Sequence, residues 1–182
     1  MEMTIHTTDT APAGSKALLE GIEEELGFVP HLALVTAASP VLLAAFDGLR
    51  RAVGAGELDP VLRETAGLAV GVAVDNEYGV AFHSTVLASL GVADEELDRM
   101  RAGEEPEDPR TAAVHALARE LVLTRGKVEA TVGRALEAGL TVSDVLEVVA
   151  ECTFAGLVGT VDNLAGRVEL DAFLAPRAWQ AG

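Results

Sequence analysis

Helix start and stop signals divide most of this chain, and they constrain its fold more than any other feature. Ser39-Pro40 and Asp59-Pro60 each place a capping side chain directly before a proline, which is the preferred order at a helix N-terminus. Glycines follow several apolar-periodic segments at the position where a helix ends. No strand-like alternation of useful length accompanies these signals. The sequence therefore predicts an all-α fold, a single-domain bundle of antiparallel helical hairpins.

Length and composition favour one helical domain. A chain of 182 residues can bury a sizeable core. Apolar residues make up 49% of it and aromatic residues only 4%, so small aliphatic side chains must form that core, which suits close helix packing. Residues 1–14, rich in Thr, Ala and Pro, are predicted to form an N-terminal arm, and residues 15–182 the domain.

Charge and the pattern of apolar residues disfavour several kinds of partner. The formal net charge of -16 argues against nucleic acid and anionic membranes, because both repel an acidic surface. No uncharged apolar stretch reaches the ~18 residues that a transmembrane helix needs, since Glu147 and Glu151 interrupt the richest one. The N-terminus has no basic region followed by an apolar run, so a cytoplasmic location is expected.

The cysteine and histidine content predicts neither a disulfide nor a metal site. Cys152 is the single cysteine, and we expect it on a buried helix face, where a free thiol acts as a small apolar group. His6, His31 and His115 are scattered along the chain without the spacing of metal ligands. No metal and no cofactor are therefore predicted.

Glu64 and His83 lie on consecutive predicted helices, on either side of a turn at Asp75-Asn76. Their distances from the turn correspond to roughly 16 Å and 12 Å of helix rise. If the two helices pack antiparallel, the side chains lie within about one turn of the same level and can meet. A carboxylate beside an imidazole raises the imidazole pKa and fixes its tautomer, while burial opposes the shift. Such a pair can transfer a proton at neutral pH; a structural buried ion pair is the alternative.

The spacing Glu64-x11-Asn76-x2-Gly79-x3-His83 resembles the alkylhydroperoxidase D-like and carboxymuconolactone decarboxylase superfamily. In the peroxidase branch, the positions of Asn76 and Gly79 hold the two cysteines of a Cys-x-x-Cys-x-x-x-His motif. The resemblance implies that Glu64 and His83 are proton-relay residues, and that the thiol chemistry is absent. It extends over most of the chain, from about residue 15 to residue 173, and implies the same all-helical fold.

Asn76, Gly79 and the intervening Tyr78 are candidate substrate contacts. Asn76 is predicted to be the N-cap of the His83 helix. Gly79, at the third position of that helix, has no structural advantage there, because glycine costs ~1 kcal/mol relative to alanine. Two explanations for this glycine are open. It leaves room for a ligand above the helix N-terminus, or it arose by drift after the loss of a sulfur. Tyr78, the only tyrosine, either lines a pocket or packs in the core.

The resemblance implies one preferred function and two alternatives. The preferred function is that of a cysteine-free enzyme of specialised metabolism. It would catalyse decarboxylation, elimination, isomerisation or cyclisation of a small carboxylated or carbonyl-bearing molecule. His83 would be the proton-transfer residue and Glu64 its orienting partner. The first alternative is a pseudoenzyme that binds a ligand without turnover. The second is a peroxidase acting through Cys152, which requires an exposed thiol near His83. The resemblance also implies a homo-oligomer, a trimer or a multiple of one.

Overall fold

The computed structural model describes residues 3–180. Met1 and Glu2 of the predicted arm, and Ala181 and Gly182 of the predicted domain, therefore lie outside the described residues. Within residues 3–180 every regular element is a helix and there is no strand, so the predicted all-α fold class is confirmed. The helices, in chain order, are α1 (Ala13–Leu26), α2 (His31–Thr36), α3 (Pro40–Gly54), α4 (Pro60–Ala73), α5 (Glu77–Ser89), α6 (Asp94–Arg101), α7 (Pro109–Thr124), α8 (Glu129–Glu137) and α9 (Val142–Ala165), followed by a short 3-10 helix (Ala175–Arg177).

The predicted start signals act as helix caps. Ser39 Oγ accepts a hydrogen bond from the N–H of Leu42 at the start of α3, and the Asp59 carboxylate accepts from two backbone N–H groups at the start of α4. Thr141 and Asp144 form a reciprocal capping box at the start of α9. Each cap satisfies backbone donors that have no partner within the helix.

The N-terminal segment packs more closely than the predicted arm implies. α1 begins at Ala13, within the predicted arm, and the hydroxyl of Ser15, the first residue of the predicted domain, donates to the Ala37 carbonyl at 2.8 Å. Ala11 is buried in the core, and the His6 N–H donates to the Leu34 carbonyl at 3.3 Å. The division into an arm and a domain stays a prediction.

α4 is the central helix of the fold, because it packs against α5, α7 and α9. Every residue from Glu64 to Gly71 is buried. Most of these residues are small and apolar, which allows close approach of the three neighbouring helices. Glu64 is the one ionisable residue in this buried run, and a buried carboxylate needs a charged or hydrogen-bonding partner.

α4 and α5 form the predicted antiparallel hairpin. A Cβ atom built on Gly71 would lie 3.1 Å from Val80, and one built on Gly67 would lie less than 3.0 Å from three atoms of the His83 ring. Later residues of α4 therefore contact earlier residues of α5, as expected for antiparallel helices, and the glycines provide the space for this contact. Asp75 adopts a left-handed conformation with φ 55° at the turn. None of the helices in residues 3–180 has the length and apolar character to cross a membrane.

Candidate active site

Glu64 and His83 meet across the α4–α5 interface. Glu64 Oε2 lies 2.9 Å from His83 Nδ1, and the two residues are only 6% and 5% exposed. The predicted contact is thus confirmed, while the catalytic role of either residue stays a prediction. Because an ionised carboxylate can only accept, Nδ1 carries the hydrogen in this bond. Nε2 is left as the nitrogen that can gain or lose a proton.

Electrostatics favour the charged forms of this pair. Burial alone would raise the pKa of Glu64, but the hydrogen bond and charge of His83, with the charge of Arg63, hold that pKa below its usual value. Burial would likewise lower the pKa of His83, but its contacts with Glu64 and the nearby charge of Glu151 outweigh burial and raise it. An imidazolium facing a carboxylate is therefore the favoured state near neutral pH.

Arg63 is a third member of the cluster that the sequence did not identify. Neighbouring residues on a helix lie about 100° apart, so Arg63 need not enter the site of Glu64. Its side chain is long enough to turn back, and Nε donates to Glu64 Oε1 at 3.1 Å. Glu64 consequently receives His83 on one oxygen and Arg63 on the other. The arrangement fixes the carboxylate in one orientation.

Glu151 of α9 is a fourth member, and it lies on the opposite side of the imidazole. Its Oε1 is 3.7 Å from His83 Nε2, and the residue is 2% exposed. Burial, and to a smaller extent the charge of Glu64, raise its pKa to about 7 against the opposing effect of His83. The sequence did contain a signal for it, since Glu151 interrupts the most apolar helical stretch of the chain. That signal was used only to reject a membrane helix.

A small cavity of about 70 Å³ adjoins His83. Most of its wall is apolar, and three of the protein's phenylalanines contribute to it. Arg50 is its one cationic side chain besides the imidazole, and hydrogen bonds to Glu25 and Asp47 occupy that guanidinium. The lining residues are Pro30, Leu32, Phe46, Arg50, Tyr78, Gly79, Phe82, His83, Phe154 and Val158.

Tyr78 and Gly79 line this cavity, whereas Asn76 does not. Asn76 is fully buried and caps α5 as predicted, because its Oδ1 accepts the N–H of Gly79 at 2.9 Å. The expectation that Gly79 has no structural advantage was wrong. A Cβ atom at that position would lie less than 3.0 Å from the Asn76 amide, so glycine leaves the space that the capping side chain occupies. The predicted substrate contact of Asn76 has no support from its position.

Tyr78 combines both roles considered for it, since its ring lines the cavity and the residue is buried. Its hydroxyl donates to Asp171 Oδ2 at 2.5 Å, which fastens α5 to the C-terminal segment. Burial, together with the bond to Asp171, raises the pKa of Tyr78 well above its usual value. The phenol therefore stays protonated at neutral pH and acts as a fixed dipole in the wall rather than as a base.

Cys152 lies on α9 outside the cavity lining. It is partly buried, and burial, with a contribution from the charge of Glu151, raises its pKa to about 12. A thiol with such a pKa is not a thiolate at neutral pH, and thiolate is the reactive form. No group of three or more His, Cys, Asp or Glu side chains with metal-binding geometry occurs within residues 3–180.

Comparison with known proteins supports the resemblance that the Glu64–His83 spacing indicated. Residues 40–120, which run from α3 into α7, match the sequence model of the carboxymuconolactone decarboxylase family. No curated protein matches the chain. Several solved structures do: an alkylhydroperoxidase AhpD core protein from Ralstonia eutropha JMP134 shares 23% identity with a TM-score of 0.77, over 94% of this chain and 93% of that chain.

Two further solved structures share the fold at lower identity. A peroxidase-related protein from Silicibacter sp. TM1040 has 17% identity and a TM-score of 0.74, over 94% of this chain and 91% of that chain. A cysteine-to-alanine variant of the debrominase Bmp8, in complex with 2,3,4-tribromopyrrole, has 15% identity and a TM-score of 0.72, over 97% and 95%. The chain thus has the alkylhydroperoxidase D-like fold, and its resemblance to the carboxymuconolactone decarboxylase and alkylhydroperoxidase D-like superfamily is confirmed.

Proposed function

We propose that this carboxymuconolactone decarboxylase-like chain is a cysteine-independent acid–base enzyme. In the proposal, His83 transfers a proton to or from a small substrate, and Glu64 orients the imidazole. The observation that carries it is the buried hydrogen bond between His83 Nδ1 and Glu64 Oε2, made by an imidazole that lines a cavity. The reactions that fit are decarboxylation, elimination, isomerisation and cyclisation, because each requires proton transfer and none requires a thiol.

The proposed mechanism assigns separate tasks to the two imidazole nitrogens. Nδ1–H stays bonded to Glu64, which fixes the tautomer and stabilises the imidazolium. Nε2 donates a proton to the substrate and takes one back, so the residue acts first as general acid and then as general base. Because the contacts of Glu64 and Glu151 raise the pKa of His83, the acid form is well populated at neutral pH. Asn76 and Gly79 supply no nucleophile, and their part is to build the helix terminus next to the cavity.

The cavity favours a small neutral molecule over a carboxylate. Its wall is mainly apolar, and Arg50 is already neutralised by Glu25 and Asp47. A carboxylate buried there would lack an unpaired cation to offset its desolvation. Carbonyl-bearing substrates are therefore preferred over carboxylated ones, and elimination, isomerisation and cyclisation are preferred over decarboxylation. The volume of about 70 Å³ is about half that of a ~150 Å³ cavity that binds benzene, so a ring-sized substrate requires a wall side chain to move.

A neighbour with the same fold supports the choice of a small planar ligand. The debrominase Bmp8 is solved with 2,3,4-tribromopyrrole bound, a ring compound without a carboxylate. In the chain described here, the rings of Phe46 and Phe154 lie 5.5 Å apart at one wall of the cavity. Aromatic walls of this kind contact a flat ring well. We therefore include heteroaromatic carbonyl compounds in the proposed substrate class.

The alternative is ligand binding without turnover, and one observation favours it. Glu64 and His83 are almost completely buried, as they would be in a purely structural ion pair. A peroxidase acting through Cys152 has less support, because burial raises the pKa of that thiol and the residue does not line the cavity.

Proton exchange with solvent tests the proposal without knowledge of the natural substrate. A panel of small cyclic ketones, lactones and heteroaromatic carbonyl compounds is incubated with the protein in D₂O, and deuterium incorporation next to the carbonyl is followed by NMR. His83→Ala should lower the rate of exchange by on the order of 10²–10⁴ with an unchanged circular dichroism spectrum. Glu64→Gln should lower it less and move the pH profile to lower pH, because the Glu64 carboxylate raises the pKa of His83.

Cys152→Ala is the matched control, since it changes the only thiol and should leave the exchange rate unchanged. Equal rates in the wild type and His83→Ala would show that the pair is structural. Compounds that bind to the wild-type protein in ligand-observed NMR, but never exchange, would support the non-catalytic alternative instead.

A further inference from the structure

The imidazole of His83 lies between two carboxylates that approach it on opposite nitrogens. Glu64 from α4 is hydrogen-bonded to Nδ1 at 2.9 Å, and Glu151 from α9 faces Nε2 at 3.7 Å. Glu151 Oε1 has no hydrogen-bond partner among residues 3–180. A buried carboxyl oxygen without a partner is unfavourable for folding, so packing alone does not account for Glu151 at this position.

The remaining separation is too long for a hydrogen bond and too short for a bridging molecule. An N–H···O bond spans about 2.7–3.2 Å, and a water between the two atoms would need a separation of about 5 Å. Glu151 Oε1 and His83 Nε2 therefore face each other directly. A small movement of either side chain closes the gap, as is common in sites that tighten when a ligand binds.

We propose that Glu151 is a positioning residue that shares one proton with Nε2 of His83, which makes it the internal proton store of the site. In this step the Nε2–H bond breaks and an Oε1–H bond forms, so that an imidazolium and a carboxylate become a neutral imidazole and a carboxylic acid. No electrons are transferred to or from another group. The inference rests on the proposed function, because it explains how an almost completely buried His83 recovers its working protonation state.

The charges around the imidazole support this exchange. The charged groups that act on His83 are Arg63 and Glu64 from α4 and Glu151 from α9, and Cys152 beside Glu151 stays neutral. Arg63 and Glu64 form an ion pair with each other, so their charges offset. The proton between His83 and Glu151 then decides whether both are charged or both are neutral, and either state avoids a lone buried charge. Burial raises the pKa of Glu151 to about 7, towards the range of an imidazole, which favours movement of the proton between the two groups.

Glu147 provides a matched comparison on the same helix. It lies one turn before Glu151, and its carboxylate accepts the N–H of Leu58 at 2.8 Å. Glu147 thus has a structural role as a cap for a neighbouring loop, which Glu151 lacks. Substituting each glutamate by glutamine removes the same charge from α9 and keeps the side-chain volume. Only the change at Glu151 should alter His83.

The test is an NMR titration of the His83 imidazole nitrogens in wild type, Glu151→Gln and Glu147→Gln, from about pH 5 to pH 9 around the ordinary histidine pKa. Wild-type Nε2 should titrate in two coupled steps, as expected for a pair that shares a proton. Glu151→Gln should titrate in one step, with the midpoint lowered by at least about one pH unit because a neighbouring negative charge is removed. Glu147→Gln should match the wild type.

An unchanged His83 titration in Glu151→Gln would overturn the inference. If that variant does not fold, Glu151→Asp serves instead: it keeps the carboxyl group at a greater distance, and two steps with a smaller separation are expected. The inference would also be overturned if His83 in the wild type titrated in a single step, like an isolated histidine. These readouts need no substrate. If His83→Ala loses exchange activity but Glu151→Gln leaves the His83 titration unaltered, the proton store is refuted and the proposed function stands. If Glu151→Gln alters the titration but His83→Ala keeps its exchange activity, the proton store stands and the proposed function is refuted.

Discussion

Gly67→Ala should displace the His83 ring by adding a single methyl group. The new Cβ would lie less than 3.0 Å from three ring atoms, and both residues are buried between helices. The ring must move, and the 2.9 Å bond to Glu64 then weakens or breaks. Overpacking costs about 1–3 kcal/mol and loss of a charged hydrogen bond about 1.5–3 kcal/mol, while the helix gains about 1 kcal/mol from alanine. A net destabilisation of about 1.5–5 kcal/mol follows.

Urea unfolding monitored by circular dichroism measures this change, and the NMR signal of the His83 Nδ1 proton reports on the bond to Glu64. Gly48→Ala in α3 is the matched control, because a Cβ atom there meets nothing within 4 Å. The control should gain about 0.5–1 kcal/mol from helix propensity alone. If Gly67→Ala is as stable as its control and keeps the Nδ1 signal, the ring does not lie against Gly67 and the reasoning about this interface fails.

Two further predictions concern the surface and the acid stability of the protein. We propose that the protein forms a homo-oligomer, a trimer or a multiple of one, because Val142, Leu146 and Val149 form an exposed apolar stripe along α9. Light scattering at micromolar concentration should detect the oligomer, and a stable monomer would contradict the proposal. His115 of α7 is 1% exposed, and burial lowers its pKa. Its folded pKa lies below the unfolded value of ~6.5, so the unfolded state binds the proton first as pH falls, and stability is lost below that pH. His115→Leu should reduce the loss of unfolding free energy between about pH 7 and pH 5, and an equal loss in both proteins would rule this explanation out.

The parts of the site that the sequence predicted are those encoded locally. Glu64 and His83 are 19 residues apart and joined by one hairpin, so helix rise and a turn signal were sufficient to bring them to the same level. The Asn76 cap depends on the neighbouring residues alone, and it formed as expected. Short α2 was not predicted, because six residues give little periodicity and no side chain caps its start.

The parts that escaped prediction depend on packing between segments distant in sequence. Glu151 reaches His83 only because α9 packs against both α4 and α5, and no spacing rule gives that register. Tyr78 and Asp171 are 93 residues apart, so their bond could not be inferred from either segment. Arg63 was missed for a different reason: a helical wheel gives the direction of Cβ, whereas a long flexible side chain can return to a neighbour.

The two positions that hold cysteines in the peroxidase branch are physically coupled in this chain. Asn76 caps α5 with its side chain directed at Gly79, and any Cβ at Gly79 would collide with the Asn76 amide. Asn76 also lies close to Gly159 of α9, where an added Cβ would lie 2.8 Å from Val74 Cγ2 and 3.2 Å from the Asn76 Cβ. The Asn76 side chain therefore requires small residues at positions 79 and 159, so the cap and its two neighbouring glycines depend on one another sterically. This helix terminus begins the helix that holds His83 beside Glu64 and Glu151, and the proposed acid–base chemistry depends on that geometry.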